Sequence, residues 1–218
     1  MKVVAFVPIK MNNERVPGKN TKRMYDGTPL IHFMLKSLLG ANEINEIYVY
    51  CSSDEIKEYL FPGITFKRRD PKYDTADADV NDMFYAFSQE VVADIYVLAH
   101  VTAPFLKSES IDCAVRKVLE GEYDSAMAVK KMQEFIWKDG KPLNYDTKNI
   151  PRTQDLVPYY IETTGLYVYN RAVIQNNRSR IGNRPYLQEV SDMEAIDINH
   201  PVDFEIANAV YEKIIKNM

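Results

Sequence analysis

Alternation constrains this chain more than anything else in it. Short apolar runs of strand length recur along the sequence, separated by stretches of helical periodicity. "VVAFVPI" (3–9) is a continuous apolar run, the pattern of a central strand buried on both faces. Residues 29–40, "PLIHFMLKSLLG", repeat apolar residues at helical spacing, with Pro29 suited to the first turn and Gly40 to the end. "EIYVYCS" (46–52), "ITFKRR" (64–69), "DIYVLAHV" (94–101) and "SAMAVKKM" (125–132) read as further strands. Between them lie a short helix at 54–60 capped by Ser53, an amphipathic helix over 77–91, and a helix at 108–121 with Ser108 as its cap and Gly121 at its end. Strand, helix, strand in this order predicts parallel strands joined by right-handed crossovers. The active sites of such sheets lie beyond the carboxyl ends of the strands.

The pattern breaks from 133 to 162. This excursion is rich in Pro, Tyr and mixed charge, and Asp139-Gly140 predicts a hairpin within it. "GLYVYN" (165–170) returns to strand, and 202–217 reads as a closing helix. We find no internal repeat. A chain of 218 residues, 46% hydrophobic, is long enough to bury a sizeable core as one domain over 1–218.

Three loops follow strands and sit where such a site belongs: "KMNNERVPGKN" (10–20), the stretch at 69–77, and "TAPF" (102–105). The first holds the chemistry. Residues 1–23 carry six Lys or Arg against Glu14 alone, although the whole chain has a net charge of −4. That balance argues against a general nucleic-acid binder and for a local cationic mouth. The glycine-rich phosphate loops and the dinucleotide fingerprint are missing from a chain with eight Gly. A nicotinamide-dependent oxidoreductase is thereby disfavoured. From composition alone, the loop reads equally as a solvated basic turn or as a clamp for a small polyanion. Cys51 and Cys113 lack metal or redox spacing. Cys51 ends an apolar run and is expected to be a buried free thiol, which favours a reducing compartment. With no signal peptide and no run of membrane-spanning length, the expected location is cytoplasmic.

"VPIKMNNERVPGKN" (7–20) resembles the opening motif of the acylneuraminate cytidylyltransferases, with some features of the 3-deoxy-manno-octulosonate cytidylyltransferases. Pro8, Pro17, Lys19 and Asn20 match the first family; Arg15, Pro17, Gly18 and Lys19 match the second. Lys10 stands where the family has Arg, Asn13 replaces its Ser, and Glu14 replaces the usual Lys of the sialate enzymes. Further likenesses follow in order. "LAHVTAPF" (98–105) matches at Thr102 and Pro104, with His100 at a Gln position. "RDPKYDTADAD" (69–79) matches at Arg69 and Asp77. "PRTQDLVPYYIETTGLYVY" (151–169) matches at Arg152, Gln154, Leu156, Pro158, Gly165 and Tyr167, with Thr164 in place of the family's Asn. "EAIDINHPVDFEIA" (194–207) matches at Asp197, with Asn199 at the second carboxylate position. Asp203 reads as a helix cap.

The resemblance implies an α/β, Rossmann-like nucleotide-diphospho-sugar transferase fold, with a mostly parallel sheet and helices on both faces. It implies transfer of CMP from CTP to an acidic, sialic-acid-like sugar, with release of pyrophosphate and with Mg²⁺ as cofactor. Catalysis then falls to Lys10, Arg15, Lys19 and Asp197. Nucleotide binding falls to Pro8, Lys10, Asn12, Asn13, Arg15, Lys19, Asn20, Arg69, Asp77 and Thr102. The acceptor falls to His100, Arg152, Gln154, Tyr160 and Thr164, and the metal to Asp197 and Asn199. The excursion at 133–162 is expected to bind acceptor and to join two copies as a homodimer. Two alternatives stand beside this: a different acid, phosphate or phosphonate acceptor, and an inactive nucleotide-binding module.

Overall fold

The computed structural model describes residues 1–13, 15–75 and 77–217. Glu14, one of the departures noted in the opening loop, lies outside the described residues. A seven-stranded sheet runs in the order β3-β2-β1-β4-β8-β5-β9. The first four of these are β1 (Val3–Ile9), β2 (Glu46–Cys51), β3 (Ile64–Arg68) and β4 (Ile95–Ala99). The others are β5 (Ser125–Met132), β8 (Tyr159–Asn170) and β9 (Pro185–Glu189). All are mutually parallel except β8, which pairs antiparallel with both β4 and β5. The sheet is therefore mostly parallel, as expected, but the return strand corrects the simple parallel series. It also begins at Tyr159 rather than 165, so residues 159–162 of the expected excursion are strand.

Helices α1 (Leu30–Gly40), α2 (Val80–Glu90), α3 (Ser108–Leu119), α4 (Arg171–Asn177) and α5 (Pro201–Lys213) complete the layers. The period-2 side-chain alternation of β1 splits between two cores. Val3, Ala5, Val7 and Ile9 join one core with α1, α3 and α5, whereas Val4 and Phe6 join another with α2 and α4. Phe6 stacks on Phe87 at 4.2 Å between centroids. Both faces are covered, which is why the run is apolar without interruption. Pro8 is tolerated because β4 pairs with β1 only as far as Phe6.

Local chemistry sets the ends of the elements. Ser53 accepts from Glu55 N, as expected of a cap. Ser108 does not cap α3; its hydroxyl donates to Ser37 O at 2.7 Å and ties α3 to α1. The helix expected over 77–91 starts only at Val80, because Asp79 accepts from Asn81 N at 2.8 Å and caps it there. Asp203 accepts from Asn199 N and His200 N at the start of α5. The excursion forms the small hairpin of β6 (Trp137–Lys138) and β7 (Lys141–Pro142), turning at Asp139-Gly140. Both cysteines are free, with Cys51 buried. No helix among the described residues is long and apolar enough to cross a membrane.

Candidate active site

The strand order reverses between β1 and β4, so the loops leaving their carboxyl ends diverge and open a crevice. A cleft of about 400 Å³ occupies it. Pro8, Lys10, Asn12, Asn13, Arg15, Lys19, Arg69 and His100 of the residues singled out in the sequence line it. Tyr73, Thr75, Ala78, Asp79, Val80 and Met83 form the facing wall, supplied by the loop before α2 and by the helix itself.

The opening loop is folded back on itself. Val16 is buried and anchors its middle. Gly18 adopts φ 64°, a left-handed conformation that suits Gly, and Lys19 N donates to Val16 O at 3.1 Å. Asn20, expected at the nucleotide, is instead the clasp. It is buried, does not line the cleft, and donates Nδ2 to Lys10 O at 2.9 Å. The half-buried Lys19 donates Nζ to Ile198 O at 2.7 Å. Burial lowers its pKa, opposed by the field of Asp197 and reinforced by Arg15.

Arg69 is buried, ion-paired to Asp74, and reaches Met83 Sδ with Nη1 at 3.2 Å, while its Nε has no partner among the described residues. Asp77 does not line the cleft; it sits in an exposed turn beside the capping Asp79. Thr102 likewise supports from below, its carbonyl accepting from Ile198 N at 2.9 Å.

β8 is kinked. Its pairing with β5 shifts register between Met127 and Val129, and Thr164 has φ 58°, a strained value for a β-branched residue. Gly165 lets the kink pass Ala103, since a Cβ there would lie 2.5 Å from Ala103 Cβ, and its carbonyl accepts from His100 N at 3.1 Å. The kink brings Thr164 Oγ1 to Asp197 Oδ2 at 3.3 Å. Asn199 donates Nδ2 to the same oxygen at 2.5 Å, so it orients the carboxylate with its amide hydrogens. Asp197 Oδ1 is buried without a partner among the described residues, and so is His100 Nε2. The imidazole of His100 is pushed down to about 4, first by burial and then by Arg180 and Lys19, against the pull of Asp197. It is neutral at pH 7.

Arg152, Gln154 and Tyr160 lie on the excursion and its return strand, exposed and away from this cleft. Arg152 pairs with Asp155 at 2.8 Å. Folding the single chain does not bring them to the site. Conversely, Arg180, which the motifs do not point to, lies 3.8 Å from the Tyr167 ring centroid, and its charge acts on His100. The signal was "RSRIGNR" (178–184), three Arg in the link between α4 and β9.

A cleft lined by Lys10, Arg15, Lys19 and Arg69, with the Asp197 carboxylate acting on Lys19, suits a compact polyanion of nucleotide size. Residues 4–213 match the family model described as Cytidylyltransferase. The chain belongs to the cytidylyltransferase family. It is 25% identical over 215 residues to N-acylneuraminate cytidylyltransferase A of Danio rerio, covering 94% of this chain and 50% of the relative. It is 27% identical over 231 residues to the CMP-N,N'-diacetyllegionaminic acid synthase of Legionella pneumophila, covering 97% of each. The chain thus spans about half the length of the fish relatives and nearly all of the bacterial one. In fold it is similar to a CMP:2-keto-3-deoxy-manno-octonic acid synthetase solved with CTP, with a TM-score of 0.72 at 17% identity, covering 98% of this chain and 99% of that one.

Proposed function

We propose that this cytidylyltransferase transfers CMP from CTP to an acidic sugar of the nonulosonate class, releasing pyrophosphate. The observation that carries this reading is the cationic cleft at the β1/β4 switch, with Asp197 held beside Lys19. Lys10, Arg15 and Lys19 neutralise the triphosphate, and Arg69 lies where the cleft runs under α2. The acceptor enters from the side of His100 and Thr164, so that its hydroxyl meets the α-phosphorus in line with the leaving pyrophosphate. Fixed charge and positioning do the catalytic work; no covalent intermediate is required.

A divalent cation, Mg²⁺ by expectation, fits the residues present. Asp197 offers a buried, unpartnered oxygen, and Mg²⁺ is commonly held by one or two carboxylates plus substrate phosphates. No cluster of three or more His, Cys, Asp or Glu that could hold a metal occurs among the described residues. Asp197 would hold the ion, with Asn199 fixing the carboxylate. When bound, the ion supplies positive charge to the phosphate oxygens and acidifies a nearby hydroxyl.

The excursion presents Trp137, Ile150, Val157, Tyr160 and Ile161 to solvent, all at 45% exposure or more. Exposed apolar surface of this kind marks a protein interface. We assign it to a homodimer in which Arg152, Gln154 and Tyr160 serve the partner's acceptor. Val157→Asp with Trp137→Glu is expected to yield monomers by analytical ultracentrifugation; an unchanged mass would remove the assignment.

The test of function is pyrophosphate release from CTP with a panel of N-acetylneuraminate, N,N'-diacetyllegionaminate and 3-deoxy-manno-octulosonate, with and without Mg²⁺. Turnover of at least one is expected. Tight CTP binding without turnover on any acceptor would instead support the inactive nucleotide-binding module.

A further inference from the structure

An acidic acceptor differs from a neutral sugar by its carboxylate. A site that selects it needs a fixed cation set apart from those that hold the triphosphate. Lys10, Arg15 and Lys19 are on the nucleotide side, and the chain's own Arg152 is 73% exposed, tied to Asp155 and away from its own cleft. Resting on the functional reading above, we propose that Arg180, seated over Tyr167 and braced by Glu162, receives the carboxylate of the acceptor.

Several observations converge on Arg180. Its guanidinium lies 3.8 Å from the centroid of the Tyr167 ring, and Tyr167 in turn faces His100 edge-on at 6.4 Å. Its Nη2 donates to Glu162 Oε1 at 3.3 Å. Glu162 also accepts from the Tyr167 hydroxyl, so its charge is engaged as a brace. The link carrying Arg180 is pinned at its base. Gly182 N donates to Ser125 Oγ at 2.9 Å, Asn183 N to Asp124 Oδ2 at 2.8 Å and Arg184 N to Asp124 Oδ1 at 3.0 Å. Gly182 itself passes so close to Asp124 that a Cβ has no room. A planar cation held by stacking, a carboxylate brace and a pinned loop has lost most of its rotamer freedom before ligand arrives. That is the condition for strong fork-shaped recognition of a carboxylate.

Position supports the same role. The field of Arg180 reaches His100, which lines the cleft and keeps a buried, unpartnered Nε2. His100 therefore lies between the cleft and Arg180, with the Tyr167 ring against both. The neutral imidazole beside Arg180 adds a polar contact without a competing charge.

The test compares each of the three acids with its methyl ester in the pyrophosphate-release assay, for wild type and Arg180→Met. A charge-assisted pair of this kind is expected to be worth about 10- to 100-fold. Arg180→Met should raise the acceptor KM by at least about tenfold, leave the KM for CTP within about twofold, and abolish the preference for acid over ester. Arg180→Lys, which keeps the charge without the fork, should fall between; it carries the comparison if the Met variant fails to fold. An acid-to-ester ratio equal to wild type in a folded Arg180 variant overturns the inference. If wild type turns over none of the three acids, the functional reading fails and this inference with it.

Discussion

Replacing Lys19 by Met removes a side chain that links the basic loop to the segment carrying Asp197. Its Nζ donates to Ile198 O at 2.7 Å and lies in the field of Asp197, while its stem lines the cleft. Two costs separate. In the free protein the lost hydrogen bond leaves Ile198 O without its donor, which costs on the order of 1 kcal/mol of stability. In catalysis a positioned cation on the triphosphate is lost, which by comparison with lost oxyanion donors costs about 3–4 kcal/mol, or 10²–10³ in kcat. The second effect exceeds the first, so activity collapses in a protein that still folds. The assay is pyrophosphate release at saturating acceptor, with circular dichroism to verify the fold. The pH profile supplies an independent check. Burial lowers the Lys19 pKa below its ordinary value, so the alkaline limb of kcat/KM should begin below pH 10.5. Lys19→Arg keeps the cation at all pH values and should remove that limb. Turnover of Lys19→Met within fivefold of wild type, or an unmoved limb in Lys19→Arg, would refute the reasoning.

Thr164 carries φ 58°, which strains a β-branched residue but suits Asn; Thr164→Asn should gain about 1 kcal/mol and raise Tm by roughly 2–4 °C in a chain of this size. A lower Tm would show that the contact to Asp197 outweighs the strain. His100 has a folded pKa of about 4 against an ordinary 6.5, so the unfolded chain binds the extra proton between those values. Stability is then full above about pH 6.5 and falls by on the order of 3 kcal/mol as pH drops through 4. Chemical denaturation at pH 7 and pH 4 should show this loss in wild type and a smaller one in His100→Gln; equal losses would discount the buried imidazole.

Much of the fold is legible because it rests on short-range pattern. The unbroken apolar run of β1 announces two-sided burial, and Asp139-Gly140 announces its hairpin. Where the reading missed, nonlocal packing had decided. Ser108 has the chemistry of a cap but finds a better acceptor in Ser37, on a helix 71 residues earlier. The antiparallel direction of β8 is invisible in its own residues, since an apolar strand between β4 and β5 reads the same in either sense. The link at 178–184 and the strand after it give little signal in the sequence, because charged, partly exposed segments have weak periodicity.

The site divides in the same way. Lys10, Arg15 and Lys19 belong to one loop at a strand end, and their shared location follows from chain connectivity. Asp197, Thr164, His100 and Arg180 come from four separate segments. Their meeting depends on the kink at Thr164-Gly165, on Asp124 and Ser125 pinning the 182–184 backbone, and on the register of β8 against β5. Sequence by itself determined the chemistry available at the basic loop and the layered α/β architecture, since both rest on residue type and local spacing. Tertiary structure alone decided which carboxylate, imidazole and guanidinium face that loop, because those distances are set by packing across the sheet.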